Sequence, residues 1–452
     1  MFRHIRELLT LGLVALLPLH AFLVTLGTQW ITGPGHAPLS SLAVWKEALL
    51  LIILVICFVE ILRRKSWKTF IHLDVYDWLI LAFLLLSVAL GIWQGQFLSR
   101  GFIYGFRYDA VPLIAFFILR RIDWSEDFAL SVKRVLIVVG GAVAGYGILT
   151  FFLPQQFFMW LGYSDLHSLY LPDQPIAAFQ QIGGTTLRRI QSTMSGPNQL
   201  GLWLLIPWSV LLVDESMKQW KKIPLILLLA AAILLSFSRS AWIAVAVITL
   251  VGMWKELPWS VFRKRITILG ASGVIGVGLL LIFAPNILIR AASTSDHFKR
   301  PVLAIQRIVA QPLGHGLGTA GPASNRISDA CVFLEAGADT TWAQDRTDLC
   351  VFAGNVQMQP TDHLCSCPFL PENWYLQLGV ELGVIGMFIF LALVVLILKT
   401  LLSKRDVDWS CLAFLGIGIA ALFLHAWEDA ALSYTLWMGV AVRLKKESNR
   451  FL

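Results

Sequence analysis

The sequence predicts an all-α polytopic membrane protein of about twelve transmembrane helices with two larger extracytoplasmic loops, and three observations carry that reading. Of the 452 residues 57 % are hydrophobic and only 14 % charged, with a mean hydropathy of +0.72, which leaves too little polar surface to cover a soluble core. Apolar runs of about 20 residues, the length a helix needs to cross roughly 30 Å of hydrocarbon, recur from end to end. The runs lack the period-two alternation of barrel strands, and backbone amides in lipid must be satisfied internally, so helices are the remaining solution.

In chain order the spans read near 8–29, 42–62, 76–93, 102–119, 135–153, 199–213, 223–238, 240–254, 266–285, 374–398, 409–426 and 430–442. Arg3, His4 and Arg6 precede the first of them, but it is too long for a signal peptide and no small-residue cleavage site follows, so it is expected to stay as a helix. The chain therefore divides into 1–285 with nine spans and an outer loop at 154–198, a long extracytoplasmic loop at 286–373, and 374–452 with three spans and a cytoplasmic tail.

Orientation follows from the basic flanks. With the N-terminus inside, the inner segments collect Arg3 and Arg6; Arg63, Arg64, Lys65 and Lys68; Arg120, Arg121, Lys133 and Arg134; and Lys218, Lys221 and Lys222. They continue with Lys255, Arg263, Lys264 and Arg265; Lys399, Lys404 and Arg405; and Arg443, Lys445, Lys446 and Arg450. That is 24 of the 36 Lys and Arg residues, which places both termini in the cytoplasm of a multi-pass inner-membrane protein. The same flanks account for the net charge of +8, and no basic aromatic groove accompanies them, so a nucleic-acid partner is excluded.

Loops as long as 154–198 and 286–373 are where function is sought. The second holds Cys331, Cys350, Cys365 and Cys367, whereas Cys57 and Cys411 fall within predicted helices as small apolar fillers. Four cysteines in an outer loop point to two disulfides, with Cys365 and Cys367 each pairing to Cys331 or Cys350, because a bridge between Cys365 and Cys367 themselves would be strained. The rival reading is zinc on His363, Cys365, Cys367 and one more cysteine, for which Cys-x-Cys is poor spacing.

Arginine near lipid is costly and usually has an anionic partner. Arg107 lies in GFRYDAVPL, Arg188 and Arg189 precede STMSGPNQLG, Arg239 sits in SFSRSAW, and Arg300 in HFKRPVLAIQRI opens the long loop. Taken singly, each arginine snorkels or pairs locally, as Arg107 would with Asp109. Taken together on one face they form a cationic cradle for a diphosphate, whose oxygens match guanidinium forks. No Asp-x-Asp or His-rich cluster stands outside, so this reading asks for no metal and no cofactor.

The pieces GFRYD (105–109), Arg189 with STMSGPNQLG (192–201), LLSFSRSAW (234–242), QPLGHGLG (311–318) and ENWYLQLGVELGVIG (372–386), in this order and topology, resemble the O-antigen ligase and O-antigen polymerase family over most of the chain. The ligase pattern runs His, Asn, nine residues, Gly, two residues, Gly; here Glu372, Asn373, Gly383 and Gly386 keep the spacing, with Glu372 in place of the histidine. The resemblance implies a metal-independent, inverting glycosyltransferase of the cell envelope. It would transfer a polysaccharide from a polyprenyl diphosphate carrier, undecaprenyl diphosphate, to a glycan, lipid or protein acceptor, as in lipopolysaccharide biosynthesis. Arg107, Arg189, Arg239 and Arg300 would hold the diphosphate. Glu372, in the first turn of a helix opened by Pro371, would take the acceptor proton that the family histidine helps remove, and Asn373 would orient one partner.

Glu372, Leu376, Gly379, Gly383 and Gly386 are expected on one helix face, with the glycines admitting a neighbouring helix. Glu372 also reads as a simple N-terminal acid, and His297, His315 and His363 as ordinary loop histidines. Glu381 is expected to pair within the bundle, and His425, Glu428 and Asp429 to cap or line helices. Polymerase and protein O-oligosaccharyltransferase differ from ligase only in the acceptor. Outside the class stands a lipid-linked oligosaccharide flippase or secondary transporter, which the absence of an internal repeat and the crowding of polar residues at the outer face disfavour. The GHGLG stretch follows no strand and is no dinucleotide site.

Overall fold

The computed structural model describes residues 2–63, 72–164, 175–182, 187–283, 291–334, 337–344, 346, 349–354, 356–404 and 406–445. Arg64, Lys65, Lys68, Arg405, Lys446 and Arg450 of the basic flanks, residues 284–285 of the ninth expected span and the opening 286–290 of the long loop lie outside them. About 70 % of the chain is helical. Among the described residues six helices are long and apolar enough to cross a membrane: α1 (Phe2–Thr32), α2 (Ser40–Arg63), α3 (Val75–Trp93), α4 (Arg100–Leu119), α5 (Glu126–Phe152) and α11 (Trp374–Ser403). The helices α6 (Pro197–Val213), α7 (Gln219–Leu235), α8 (Arg239–Glu256), α9 (Trp259–Phe283), α12 (Trp409–Ala420) and α13 (Ala430–Arg443) are also apolar, and α10 (Ala291–Ala310) lies in the long loop.

Polar residues set the helix ends. Ser99, Ser125, Asn373 and Asp429 each accept a hydrogen bond from a backbone N–H in the first turn of α4, α5, α11 and α13, and Asp74 and Asp77 close a reciprocal capping box on α3. The interior pairs α3 with α11, α4 with α13, and α8 with α12. At its centre Phe390, Phe414, Trp427 and Trp437 meet in tilted and edge-to-face contacts of 5.0 to 6.4 Å between ring centroids.

The bundle has two unlike ends. At one, Arg120 binds Asp74 at 2.6 Å and Asp77 at 3.2 Å, Arg121 binds Asp77 at 2.7 Å, and Arg6 reaches Glu60 at 3.2 Å and the Asp123 carbonyl at 2.7 Å. Lys255 and Lys404 donate to the carbonyls of Leu402 and Arg443 at the same end. At the other end the long connections tie the bundle together through Phe22 N–H to the Thr193 carbonyl, Ile190 N–H to Leu235, Gln94 Nε2 to Gly314 and Trp374 N–H to Ala421. The expected outer loops thus gather at the end opposite the expected basic flanks.

The chain is mostly helical, as expected, and the long loop adds a small sheet to it. Ala330–Leu334 (ACVFL), Leu349–Ala353 (LCVFA) and Val356–Gln359 form a three-stranded sheet, the first pair parallel with Cys331 opposite Cys350 and the second antiparallel. Short runs of Val, Phe and Cys suit a pleated, half-buried surface, and Val332, Leu349, Val351 and Ala343 form a small separate core. Disulfides join Cys331 to Cys367 and Cys350 to Cys365, while Cys57 and Cys411 are buried free thiols in α2 and α12.

Candidate functional site

The segments singled out in the sequence pack as two groups at the loop-bearing end. In the first, Arg189 is 9 % exposed and its guanidinium donates to the Ser236 carbonyl at 3.1 Å, Gln180 at 3.0 Å and Asn198 at 2.7 Å. These contacts bind the short Arg188–Arg189 strand, which pairs antiparallel with Gln180–Gln181, to the head of α6 and to the Ser236–Ser238 turn that leads into Arg239. The approach is close because Gly201 has no side chain: a Cβ there would press on Ser236, Ser238 and Ala241. Arg189 and the turn bearing Arg239, 50 residues apart in sequence, are therefore neighbours.

In the second group, the glycine-rich segment 311–318 lies along a break in α11. Gly383 has φ +68° within that helix, which frees backbone groups that the loop then uses: His315 N–H donates to the Val380 carbonyl at 2.8 Å, Gly316 N–H to the Glu381 carbonyl at 2.8 Å, and Val384 N–H to the Pro312 carbonyl at 2.9 Å. The fully buried Glu381 accepts from the N–H groups of Gly318 at 2.8 Å and Ala320 at 3.3 Å. On the opposite side Gly105 of α4 touches the backbone of Leu317 and Gly318. GFRYD, QPLGHGLG and the ENWYLQLGVELGVIG helix thus form one packed unit.

Glu372 stands at the head of this unit. Its Oε1 binds Arg300 at 3.0 Å, its Oε2 lies 3.8 Å from His297 Nδ1, and its side chain is 20 % exposed. Asn373 caps α11 through its Oδ1 to Leu376 N–H at 3.0 Å, and its Nδ2 donates to the Leu422 carbonyl at 3.0 Å. Asn373 therefore holds the helix head to the segment joining α12 and α13. One turn below, Gln377 accepts from His425 Nδ1 at 2.5 Å and donates to Glu428.

Several expectations are corrected here. Glu372 and Pro371 precede the cap rather than form the first turn, and Glu372 has φ +55°, a left-handed conformation that costs a non-glycine residue on the order of 1 kcal/mol. The single stripe from Glu372 to Gly386 is interrupted both there and at Gly383. Its glycines admit Ile308 of α10 and the Pro312–Leu313 backbone instead of a further membrane-length helix. Arg107 pairs with Glu47 of α2 at 2.7 Å, not with Asp109, which is buried beside Glu381 and Glu428. Gln377, which links His425 to Glu428, is the part of this group that sequence reasoning passed over.

Nearby, Arg307 of α10 stacks on Phe369 with 3.6 Å from its guanidinium carbon to the ring centroid. Burial lowers its pKa, yet a guanidinium starts so high that it stays cationic. Donor atoms of Asp329, Cys350, His363 and Cys365 lie within 4.8 Å of one another, but Cys350 and Cys365 are joined as a disulfide, so this group offers no thiolate to a metal in the oxidised protein. The zinc set weighed from the sequence is likewise divided, because Cys367 is bonded to Cys331.

No protein-family model matches the sequence, and no curated protein matches it.

Proposed function

We propose that the chain is an O-antigen ligase-like glycosyltransferase that moves a glycan from a polyprenyl diphosphate to an acceptor at the outer face of the cytoplasmic membrane, with twelve spans and both termini cytoplasmic. One observation carries this reading: segments spread from 105 to 386 that resemble the family pack as two groups at one end of the bundle, and they bring arginines and a carboxylate with them.

The chemistry follows from the partners. An incoming diphosphate competes with Glu372 for Arg300, and Arg239 heads α8 beside the fixed Arg189. Guanidinium groups stabilise the charge that develops on the leaving group without a metal ion. Once Arg300 turns to phosphate, the Glu372 carboxylate is released to accept the proton of the acceptor hydroxyl. The acceptor oxygen forms the new bond to the sugar carbon as the carbon–oxygen bond to phosphate breaks, its electron pair staying on the diphosphate, and the sugar carbon inverts. Arg107 and Asn373 serve geometry, the first through Glu47 and the second as the cap of α11.

The test is glycan transfer by the purified protein from a polyprenyl diphosphate donor in the presence of EDTA. Transfer is expected to survive the chelator and to fall by orders of magnitude in Arg239→Ala and Glu372→Gln. Robust transfer by Glu372→Gln removes that residue as the base, and abolition by EDTA ends the metal-independent reading. Accumulation of unlinked versus short glycans in a deletion strain separates ligase from polymerase.

A further inference from the structure

The helix α10 of the long loop separates three sets of residues around its axis. Phe298, Val302, Ile305 and Val309 recur at spacings of four, three and four, which puts them in one line along the helix. They are 73 %, 53 %, 49 % and 73 % exposed. Ala304 and Ile308, to one side of that line, are buried against Val380 and Gly379 of α11. Arg300 and Arg307 leave the axis on the side opposite the line, where they meet Glu372 and Phe369. Charge on one side and an unbroken apolar line on the other suit a boundary between water and hydrocarbon.

What the line faces follows from α11. Arg300 lies by Glu372, Ile308 by Gly379 and the Pro312–Leu313 backbone by Gly383, so α10 and the residues after it run in step beside the head of α11. Residues 377–383 of that head are all buried. Past the break at Gly383, where α10 has ended, α11 itself becomes the outer layer, with Ile385, Phe388 and Val395 exposed. The outward apolar surface of the bundle therefore passes from α11 to α10, by way of the exposed Leu313 whose backbone abuts Gly383. Of the two helices α11 is long and apolar enough to cross a membrane, whereas Lys299, Arg300 and Arg307 interrupt α10. From Phe298 to Val309 the line is about 16 Å long at 1.5 Å per residue, close to half of a hydrocarbon core of roughly 30 Å.

We propose that α10 is a lipid-facing helix seated in the leaflet at the loop-bearing end, with Phe298, Val302, Ile305 and Val309 on acyl chains and Arg300 and Arg307 held on the protein side. Part of the long loop then lies within the bilayer instead of wholly outside it. Continuity with the outward face of a membrane-length helix assigns the line to hydrocarbon and not to a soluble partner. The inference rests on α11 crossing a membrane and does not depend on the transferase reading.

The experiment reconstitutes the unsubstituted full-length protein in phosphatidylcholine vesicles that carry a lipid with a diazirine in its acyl chain, and maps the adducts formed on irradiation. Adducts are expected on residues 298–309 as well as on 385–395 of α11. Adducts on α11 with none on α10 overturn the proposal. A second measurement places nitroxides at Val302→Cys, Ile305→Cys, Lys299→Cys and Ala310→Cys, each with Cys57→Ala and Cys411→Ala, and compares collisions with oxygen and with a water-soluble nickel chelate. The oxygen-to-nickel ratio is expected to be several-fold higher at Val302→Cys and Ile305→Cys than at the other two positions. Equal ratios along the helix put the line in water and overturn the proposal. Loss of collisions with both reagents on the line overturns it as well, because a protein surface such as a second copy then covers it.

Discussion

The two ends of the bundle use arginine in opposite ways. At the basic end Arg120 and Arg121 are 2 % and 9 % exposed and locked onto Asp74 and Asp77, so their charges are spent on holding α3 to α4. At the loop-bearing end Arg300 meets Glu372 with side chains 31 % and 20 % exposed, and Arg189 is placed by amide and carbonyl oxygens. A buried pair with several hydrogen bonds has no reason to open, whereas a half-exposed pair is cheap to separate and can exchange one anion for another. Location and partner, not residue type, decide which arginines are locked into the fold and which are placed for the proposed chemistry.

This contrast can be broken most directly at Arg120. Arg120→Ala removes the guanidinium on Asp74 and one of the two on Asp77, and a loss of about 3–5 kcal/mol is expected, read as a collapse of thermal stability in detergent. Next in size is the sheet of the long loop, where Cys331→Ser with Cys367→Ser is expected to cost that region about 2–4 kcal/mol. Limited proteolysis should then cut within 330–367 while the bundle's own melting stays in place; a bundle that melts early would show that the sheet supports the helices. Asn373→Ala removes the cap of α11 at an expected cost of about 1 kcal/mol, visible as a small shift in melting temperature and faster amide exchange at residues 374–377. Smallest in stability is Arg300→Ala, below about 1 kcal/mol, although transfer activity should fall by orders of magnitude. A large stability loss at Arg300 would erase the distinction between the two ends.

How far the sequence reveals this molecule depends on the range of the forces involved. Apolar length and polar caps are local, so α3, α4, α5 and α11 begin or end within a few residues of the expected positions, α5 excepted at its start, where Ser125 and the acidic Glu126 and Asp127 extend it by more than two turns. The strands at 330–334 and 349–353 escape because five-residue runs carry little periodicity and draw their order from each other and from the disulfides. The break at Gly383 also escapes, since GVELGVIG reads as uninterrupted helix until the Pro312 carbonyl is known to lie against it. Among the site residues, Glu372, Arg189, Arg239 and Arg300 were marked by motif and position. The Arg107–Glu47 pair bridges 60 residues and belongs to tertiary packing alone.

The seam between the glycine-rich loop and α11 has a consequence for biogenesis. Its hydrogen bonds join residues 312–320 to residues 380–384, so the earlier strip of chain has no complement until the later one has been synthesised and inserted. The head of α11 in turn waits for the Ala421 and Leu422 carbonyls. The candidate site is thus among the last parts of the protein to be completed, and a chain interrupted before residue 421 can carry most of its membrane-length helices without ever assembling it.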